Sequence, residues 1–251
     1  MLIYLFQQKS FLVGLFSEVV DFLLRKNRLD KNSLIILPCS LHDLALDEKL
    51  LYKNVDFYTN DSMFITYYFC LKFKQKIDRI YGPNLMLKIL EKEQTNLSKK
   101  KHYFLAPSKK TFLALKALLK KNYKELDLSL EFLTEDSNSK VEVNVLQKII
   151  KAKPDFIWLG IGSPKQVELA NYLKIHSAGA KIFCVGAAFE FLTKQKKQAP
   201  LFLQNFGLEW LFRLSTEPKR LWRRYLIVIP KFLFLILWRK IFPHNRTRKL
   251  K

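Results

Sequence analysis

Apolar runs of strand length alternate with segments of helical periodicity up to position 186, and this alternation predicts the fold. Strands are predicted at residues 2–6, 33–38, 55–58, 102–106, 128–133, 154–160 and 180–186, and helices at residues 11–24, 41–51, 63–73, 79–90, 111–122, 145–152 and 165–175. Residues 92–101 and 135–140 are predicted to be polar loops. This order indicates a Rossmann-like α/β domain, with a mainly parallel sheet and helices on both faces. We expect that domain to cover residues 1–193, followed by a basic, amphipathic helical appendage at residues 194–251.

The appendage contains the run GLEWLFRLSTEPKRLWRRY, from Gly207 to Tyr225, in which aromatic residues are interleaved with arginines. Because proline is tolerated only in the first turn of a helix, Pro218 predicts that one helix ends near Leu214 and another begins around Glu217.

Arg220, Arg223 and Arg224 have the spacing i, i+3, i+4 and therefore share a face of the second predicted helix. Arginine forks bind phosphate oxygens bidentately and stay charged, so this face suits a diphosphate. We expect Leu221 and Trp222 to face the body of the protein. The alternative from spacing alone is a basic face that only contacts water.

The charge of the chain is strongly positive and unevenly distributed. Its 251 residues carry a net charge of +22, and residues 194–251 hold 15 lysines or arginines against two acidic residues. Such a field favours an anionic partner, either nucleic acid or a membrane that contains acidic lipids. The longest apolar run, Leu226 to Trp238, is interrupted by Pro230 and Lys231 and is shorter than the roughly 20 residues that span a bilayer, so no transmembrane helix is expected.

Asp61 is the first candidate for chemistry. It follows the predicted strand at residues 55–58 and should lie at the carboxyl edge of the sheet, where open α/β sheets bind ligands. The alternative is that Asn60 and Asp61 form a turn or cap the next helix, since both residue types are good N-caps.

A glycine-containing turn is the second candidate. The run Gly160-Ile161-Gly162-Ser163-Pro164-Lys165-Gln166 connects a predicted strand to a helix, and Gly186 ends the next predicted strand. Glycines at such a turn let backbone N–H groups approach phosphate or ribose oxygens. A turn with two glycines is nevertheless common in proteins that bind no phosphate.

Together these motifs resemble those of the WecG/TagA/CpsF glycosyltransferases. The run from Gly207 to Tyr225 resembles the C-terminal signature of that family, the run from Gly160 to Gln166 resembles its Gly-x-Gly-x-Pro-Lys-Gln motif, and residues 185–191 resemble its Val-Gly-Ala-x-Phe-Asp segment. The resemblance implies that Asp61 is the catalytic base and that Arg79 is a second catalytic residue, which neutralises diphosphate charge. It also implies two binding sets: Gly160, Gly162, Pro164, Gln166 and Gly186 for the donor, and Arg213, Arg220, Arg223 and Arg224 for the acceptor diphosphate.

The resemblance further implies the reaction and its partners. The expected enzyme is an inverting glycosyltransferase that moves an N-acetylmannosamine-like sugar from a UDP-sugar to a polyprenyl-diphosphate-linked amino sugar. It would act at the cytoplasmic face of the membrane as a peripheral protein on an anionic surface, and a homo-oligomer is compatible with this role. The sequence departs from the family pattern at Ser62, where glycine is usual, at Val167, where glutamate is usual, and near residues 38–40, which lack a Thr-x-Asn motif.

Two alternatives remain open from the sequence. The first is a nucleic-acid-binding protein, which the sequence pI near 9.9 permits. Against it, the apolar run Phe232–Trp238 does not suit a nucleic-acid groove. The second is an inactive member of the family. We expect no cofactor and no metal, because the four histidines are isolated and no Asp-x-Asp occurs. Cys39, Cys70 and Cys184 are predicted to be reduced thiols in a cytoplasmic protein.

Overall fold

A computed structural model describes residues 1–6, 9–25, 32–45, 50–96, 100–133, 139–219, 221–223, 225–227, 230–231, 234 and 247–248. Its strands are β1 Leu2–Phe6, β2 Lys9–Val13, β3 Leu34–Cys39, β4 Phe57–Asn60, β5 Lys101–Ala106, β6 Asp127–Phe132, β7 Phe156–Leu159, β8 Lys181–Cys184 and β9 Thr247–Arg248. Its helices are α1 Phe16–Leu24, α2 Leu41–Ala45, α3 Met63–Phe73, α4 Gly82–Gln94, α5 Lys109–Asn122, α6 Ser139–Ala152, α7 Lys165–His176, α8 Ala188–Leu192, α9 Leu201–Asn205 and α10 Glu209–Thr216, with a 3-10 helix at Leu50–Asn54. Helical backbone continues at residues 218–219, 221–223, 225–227, 230–231 and 234.

The described strands form one sheet in the order β6-β5-β7-β8-β3-β4-β2-β1-β9. The pairs from β6 to β2 are parallel, whereas β1 is antiparallel to both β2 and β9. The predicted α/β class and mainly parallel sheet are therefore confirmed. In such a sheet all parallel strands end at the same edge, and Asp61 and the glycine turns lie at that edge.

Helices cover both faces of the sheet because its central strands are apolar on both sides. In β3, Ile35 and Leu37 pack into the core cluster on one face, while Ile36 packs into the cluster on the other. The first cluster includes buried residues of α3, α6 and α7, and the second those of α1, α4, α5 and α8. Cys39 and Cys184 are buried and all three cysteines are free thiols, as predicted.

The prediction of a helix over residues 11–24 was wrong in its first part. Lys9–Val13 is strand β2, which pairs with β1 in the register Leu2↔Val13 and with β4 in parallel. Phe11, Leu12 and Val13 are fully buried, because Phe11 and Val13 pack into the core cluster on one face of the sheet and Leu12 into the cluster on the other. A short apolar run of this kind has no period that separates a buried strand from a helix.

Several other boundaries differ from the predicted ones. β4 ends at Asn60, two residues later than predicted, so Asp61 follows the strand directly. α4 continues to Gln94 and α6 begins at Ser139, inside the two predicted loops. The predicted helix over residues 41–51 is present as α2 and the start of the 3-10 helix, and its residues 46–49 lie outside the described part. None of the described helices is long and apolar enough to cross a membrane.

Candidate active site

The carboxylate of Asp61 lies where β4 leaves the sheet. Asn60, the last residue of β4, is fully buried, and its side-chain amide donates to Thr66 Oγ1 and to the backbone oxygen of Asp78, each at 2.8 Å. Asp61 does not cap α3, because Ser62 is the N-cap residue of that helix. Its Oδ1 instead accepts a hydrogen bond from the backbone N–H of Gly82, at the start of α4, over 3.2 Å.

The pKa of Asp61 is raised above its ordinary value, mainly because burial penalises the charged form. The positive charges of Arg79 and Arg213 and the hydrogen bond from Gly82 act in the opposite direction without cancelling this effect. A carboxylate with a raised pKa is a stronger base than an aspartate in water. The geometry and the pKa direction therefore both suit a general base.

Two arginines and a glutamate surround this carboxylate. Arg79 Nε donates to the backbone oxygen of Asp61, and Arg79 Nη1 forms an ion pair with Glu209 Oε2 at 2.8 Å. Glu209 Oε1 forms a second ion pair with Nη2 of Arg213, one turn further along α10. Although burial alone would raise the pKa of Glu209, the guanidinium groups of Arg213 and Arg79 lower it below its ordinary value, so Glu209 is charged.

Aromatic rings hold both guanidinium groups in place. The Arg79 guanidinium lies over the Tyr81 ring at 4.4 Å from its centre, and that of Arg213 lies over the Phe191 ring at 4.7 Å. Arg213 Nη2 also donates to the Tyr81 hydroxyl over 3.4 Å. Burial raises the pKa of Tyr81 to about 12, so its hydroxyl stays protonated and neutral near pH 7. Arginines stacked in this way lose little further conformational freedom when they bind an anion.

The two glycine turns come together at the carboxyl ends of β7 and β8, and the side chain of Gln166 connects them. Gln166 Nε2 donates to Ser163 Oγ at 3.0 Å and to the backbone oxygen of Cys184 at 3.3 Å. Its Oε1 accepts from the backbone N–H of Gly186 at 2.9 Å. Gln166 is only 3% exposed. Its amide is thus engaged with protein partners and fixes the two turns relative to each other.

Glycine occupies positions 160 and 162 of the first turn for two different structural reasons. A Cβ at Gly160 would lie 2.2 Å from the Phe189 ring, so this glycine lets α8 pack closely on the sheet. Gly162 has a φ of +83° and no atom within 4 Å of the position of a Cβ. The backbone at Gly162 therefore borders open space in which a ligand can approach it, with Pro164 following as the N-cap residue of α7.

Two cavities meet at Asp61, and each is named here after the sequence-predicted binding set that it contains. The first, the donor groove, runs along the glycine turns and is lined by Pro38, Ser40, Asp43, Asp61, Tyr81, Gly82, Pro83, Pro107, Gly160, Ile161, Gly162, Ser163, Gln166, Cys184, Val185, Gly186, Ala187, Ala188, Glu190, Phe191, Lys196 and Arg213. The second, the acceptor cavity, lies between α3 and α10 and is lined by Ser40, Leu41, Asp61, Ser62, Met63, Phe64, Arg79, Gly207, Glu209, Trp210, Arg213 and Tyr225. Asp61, Ser40 and Arg213 border both.

The predicted arginine face is described only in part. Arg220 and Arg224 lie outside the described residues. Arg223 is exposed, with its guanidinium 5.2 Å from the centre of the Trp222 ring. Leu221 is buried, as predicted, but the prediction that Trp222 faces the body was wrong, because its side chain is 45% exposed. Leu221 borders a third cavity together with Ala187, Phe191 and Thr216.

The sequence reasoning missed two residues of this site. Glu209 is the residue that joins Arg79 to Arg213, and Tyr81 is the one that contacts both arginines. Glu209 stands in the GLEW part of the C-terminal run, two residues after Gly207. The available signal was an acidic residue within a strongly basic segment that holds only two.

No group of three or more histidine, cysteine or carboxylate side chains that could hold a metal ion occurs among the residues with a described position. The described positive side chains that line the donor groove are those of Arg213 and Lys196.

The transfer activity that the sequence resemblance implies is expected to survive excess EDTA within about twofold, since a required Lewis acid would contribute several kcal/mol and its removal would abolish the rate. The measurement is the initial rate with and without chelator. Abolition by EDTA together with rescue by magnesium or manganese would show that a metal is needed.

A model of the family described as "Glycosyl transferase WecG/TagA/CpsF family" matches residues 16–246. The chain belongs to this family. The family resemblance inferred from the sequence is thereby confirmed. In this WecG/TagA/CpsF protein the C-terminal arginine segment lies inside the matched region.

Individual relatives carry one shared name. Over 159 residues the chain is 28% identical to a protein of Bacillus spizizenii named N-acetylglucosaminyldiphosphoundecaprenol N-acetyl-beta-D-mannosaminyltransferase, and the match covers 63% of this chain and 59% of that protein. Over 92 residues it is 33% identical to Staphylococcus aureus proteins of the same name, which covers 37% of this chain and 35% of theirs. The chain thus spans less than two thirds of the length of these relatives.

Proposed function

We propose that this WecG/TagA/CpsF protein is an inverting glycosyltransferase in which Asp61 is the general base. The observation that carries the proposal is the position of Asp61 in the wall shared by the donor groove and the acceptor cavity. A base there can reach an acceptor hydroxyl in one cavity while the hydroxyl faces a sugar held in the other. Family membership supplies the class of reaction.

In the proposed reaction the acceptor hydroxyl loses its proton to the carboxylate of Asp61 as its oxygen attacks the anomeric carbon of the donor sugar. The bond between that carbon and the diphosphate oxygen breaks, and the nucleoside diphosphate leaves with the bonding electrons. A single displacement of this kind inverts the anomeric configuration.

The donor groove is proposed to bind the nucleoside diphosphate sugar. The open backbone at Gly162, close to the first turn of α7, suits phosphate or ribose oxygens, and Gln166 holds this turn against the turn at Gly186. Lys196 and Arg213 supply positive charge at the same groove. The uridine diphosphate form of the donor is part of the proposal through the family resemblance.

The acceptor cavity is proposed to bind a polyprenyl-diphosphate-linked amino sugar. Arg79 and Arg213 supply charge for the diphosphate, and Trp210 and Tyr225 line the cavity with aromatic surface, their ring centres 6.0 Å apart. The cavity contains residues from both proposed units, since Asp61 and Arg79 lie within residues 1–193 and the others within residues 194–251. We therefore propose that the appendage completes the active site, with Arg220, Arg223 and Arg224 adding further charge.

The names of the relatives favour one donor–acceptor pair. The Bacillus and Staphylococcus proteins are named for the transfer of N-acetylmannosamine to N-acetylglucosaminyldiphosphoundecaprenol. We propose the same class of sugars here.

The test is a panel of UDP-sugars with a short-chain lipid-diphosphate N-acetylglucosamine acceptor, with products identified by mass spectrometry. A product heavier than the acceptor by one N-acetylhexosamine residue, formed from the UDP-N-acetylmannosamine donor, is expected. No product with any donor would favour the inactive alternative. A shift of random DNA in a gel, without transfer, would favour the nucleic-acid alternative.

We further propose that the protein binds anionic membrane surfaces on the cytoplasmic face through the C-terminal region. Nine of the 18 exposed large apolar side chains in the described part lie within residues 201–234, in the strongly basic part of the chain. In α9 and at its C-cap, Leu201, Phe202 and Phe206 are 74%, 60% and 73% exposed. The predicted interfacial run at residues 232–238 lies outside the described residues except for Phe234, which is 61% exposed. Exposed apolar residues within a basic segment are typical of interfacial binding.

Binding to anionic vesicles is expected to weaken as salt rises but to persist, because charge attraction is screened and apolar insertion is not.

Changing both Phe202 and Phe206 to Ser should weaken vesicle binding by at least about tenfold, given roughly 1.5–3 kcal/mol for a fully buried apolar side chain. Co-sedimentation at low and high salt measures both effects. In the matched control, Leu113 on α5 and Ile175 on α7, which are 54% and 79% exposed, are both changed to Ser. Equal losses of vesicle binding in the two double variants would contradict docking through α9.

A further inference from the structure

Glu209 has no part in the reaction described so far, yet its carboxylate occupies the centre of the charged site. Its two oxygens pair with two different arginines, Oε2 with Arg79 at 2.8 Å and Oε1 with Arg213, and its side chain is only 13% exposed. One arginine precedes α4 and the other belongs to α10. Glu209 is therefore the ionic connection between the α/β domain and the C-terminal region at the acceptor cavity.

The charges around Asp61 balance because of Glu209. The described charged groups that act on Asp61 are Arg79 before α4 and Glu209 and Arg213 on α10. Titratable neighbours are Tyr81, Cys39 on β3 and Tyr225 in the wall of the acceptor cavity, while Asp43, Glu190 and Lys196 line the donor groove. Cys39 and Tyr81 are neutral at working pH because burial raises the pKa of each. The positive charges of Arg79 and Arg213 are thus balanced by the negative charges of Asp61 and Glu209.

Without Glu209 the arginines would act on Asp61 alone. A guanidinium is charged at any working pH, and an opposite charge within a few ångströms stabilises a carboxylate and makes it a weaker base. The same two arginines are needed to bind an acceptor diphosphate. The site therefore has conflicting requirements, namely strong positive charge for the acceptor and a basic Asp61 for the transfer.

We propose that Glu209 is a positioning residue that resolves this conflict: its carboxylate aims Arg79 and Arg213 across the acceptor cavity and offsets their charge, which keeps Asp61 basic. This inference rests on the proposed function, since it assigns the acceptor cavity to a diphosphate and Asp61 to proton transfer. When a diphosphate binds, it competes with the Glu209 carboxylate for the two guanidinium groups.

Glu209→Gln separates this role from a merely structural one, because glutamine has the same size and one oxygen that still accepts from an arginine. The acidic limb of the pH–rate profile should move to lower pH, because a more positive site makes Asp61 easier to deprotonate. The maximal kcat should fall about three- to tenfold because the base is weaker, while KM for the acceptor should not rise. If Glu209 made only a structural contact, Glu209→Gln would instead raise KM for the acceptor and leave the acidic limb of the pH–rate profile unchanged.

Pyrophosphate binding measured by calorimetry gives a readout that does not depend on transfer. Glu209→Gln is expected to bind inorganic pyrophosphate about fivefold more tightly or better, because a negative charge that competes for the arginines has been removed. If the wild-type protein transfers no sugar, the proposed function fails, and the pyrophosphate measurement still decides the role of Glu209.

The matched control is Glu131→Gln, which removes the carboxylate of a remote ion pair, with Lys148 at 2.8 Å; it should change neither the pH limb nor pyrophosphate binding. Weaker or unchanged pyrophosphate binding by Glu209→Gln, or an unmoved acidic limb, would overturn the proposal. If Glu209→Gln does not fold, as judged by circular dichroism, Arg213→Gln replaces it. The acidic limb of Arg213→Gln should then move to higher pH, and an unmoved limb would overturn the proposal.

Discussion

Asp61→Asn is expected to lower kcat by about 10²- to 10⁴-fold, the range that a general base contributes. An asparagine keeps the size of the side chain and an oxygen that can accept the N–H of Gly82, the hydrogen bond that Asp61 makes over 3.2 Å. The local structure should therefore survive while the ability to take a proton is lost. KM for the donor should change little, because the glycine turns are untouched. Initial rates with the soluble acceptor, together with circular dichroism, measure the effect.

The pH dependence of the wild-type protein belongs to the same prediction. A base works only when it is deprotonated, so the rate should fall as the pH decreases through the pKa of Asp61. Burial raises that pKa, so the fall should begin at a higher pH than it would for an aspartate in water. Asp61→Asn should lose this acidic limb in whatever activity remains.

Asp155→Asn is a matched control for Asp61→Asn. Asp155 lies at the opposite edge of the same sheet, where its Oδ2 accepts the backbone N–H of Lys101 at 2.9 Å. Its replacement should leave the rate nearly unchanged. A loss of less than about fivefold in a folded Asp61→Asn protein would remove Asp61 as the base, because even weak general bases contribute more.

Arg213→Ala is expected to lower kcat/KM for the acceptor by about 10²-fold, because hydrogen bonds to charged groups contribute about 1.5–3 kcal/mol each. Arg213 borders both cavities, pairs with Glu209, donates to Tyr81 and lies over Phe191. Its removal also leaves Glu209 with one arginine partner instead of two. Kinetics with the short-chain acceptor measure this loss without any contribution from the membrane.

Two further variants interpret the result for Arg213→Ala. Arg213→Lys keeps the charge but loses the fork, so an intermediate loss is expected. Lys148→Ala breaks the surface ion pair with Glu131 and should leave kcat/KM unchanged. Vesicle binding of Arg213→Ala should stay close to that of the wild type. Normal transfer by Arg213→Ala would mean that its guanidinium holds the structure together without contacting the acceptor.

The parts of the fold that could be predicted are those in which a local pattern has one structural solution. Asp61 follows a short apolar strand and precedes the helix Met63–Phe73, so its place at the carboxyl edge of a parallel sheet was accessible from the sequence. The glycine turn at residues 160–166 was accessible for the same reason. Strand β2 was not, because Phe11–Val13 is apolar without alternation and its identity depends on pairing with β1 and β4.

The charged site was only partly accessible for a different reason. Arg79 and Arg213 are far apart in sequence, and no local pattern shows that one glutamate contacts both. The exposure of Trp222 is likewise decided by tertiary packing, since the neighbouring Leu221 is the residue that becomes buried. Pairing across 130 positions is a property of the folded chain. The family resemblance implies a binding site that contains the arginines, but it does not identify Glu209 as the carboxylate that pairs with them.

The wall shared by the two cavities has a consequence for how specificity can evolve in this family. Apart from Ser40, Asp61 and Arg213, the two cavities are lined by different residues, mostly from the turns between 160 and 196 on one side and from α3 and residues 207–225 on the other. Under the proposed function, substitutions that suit a new donor sugar can therefore accumulate without disturbing acceptor recognition, and the reverse also holds. In that proposal the two specificities are separable, and the carboxylate of Asp61 is common to both cavities.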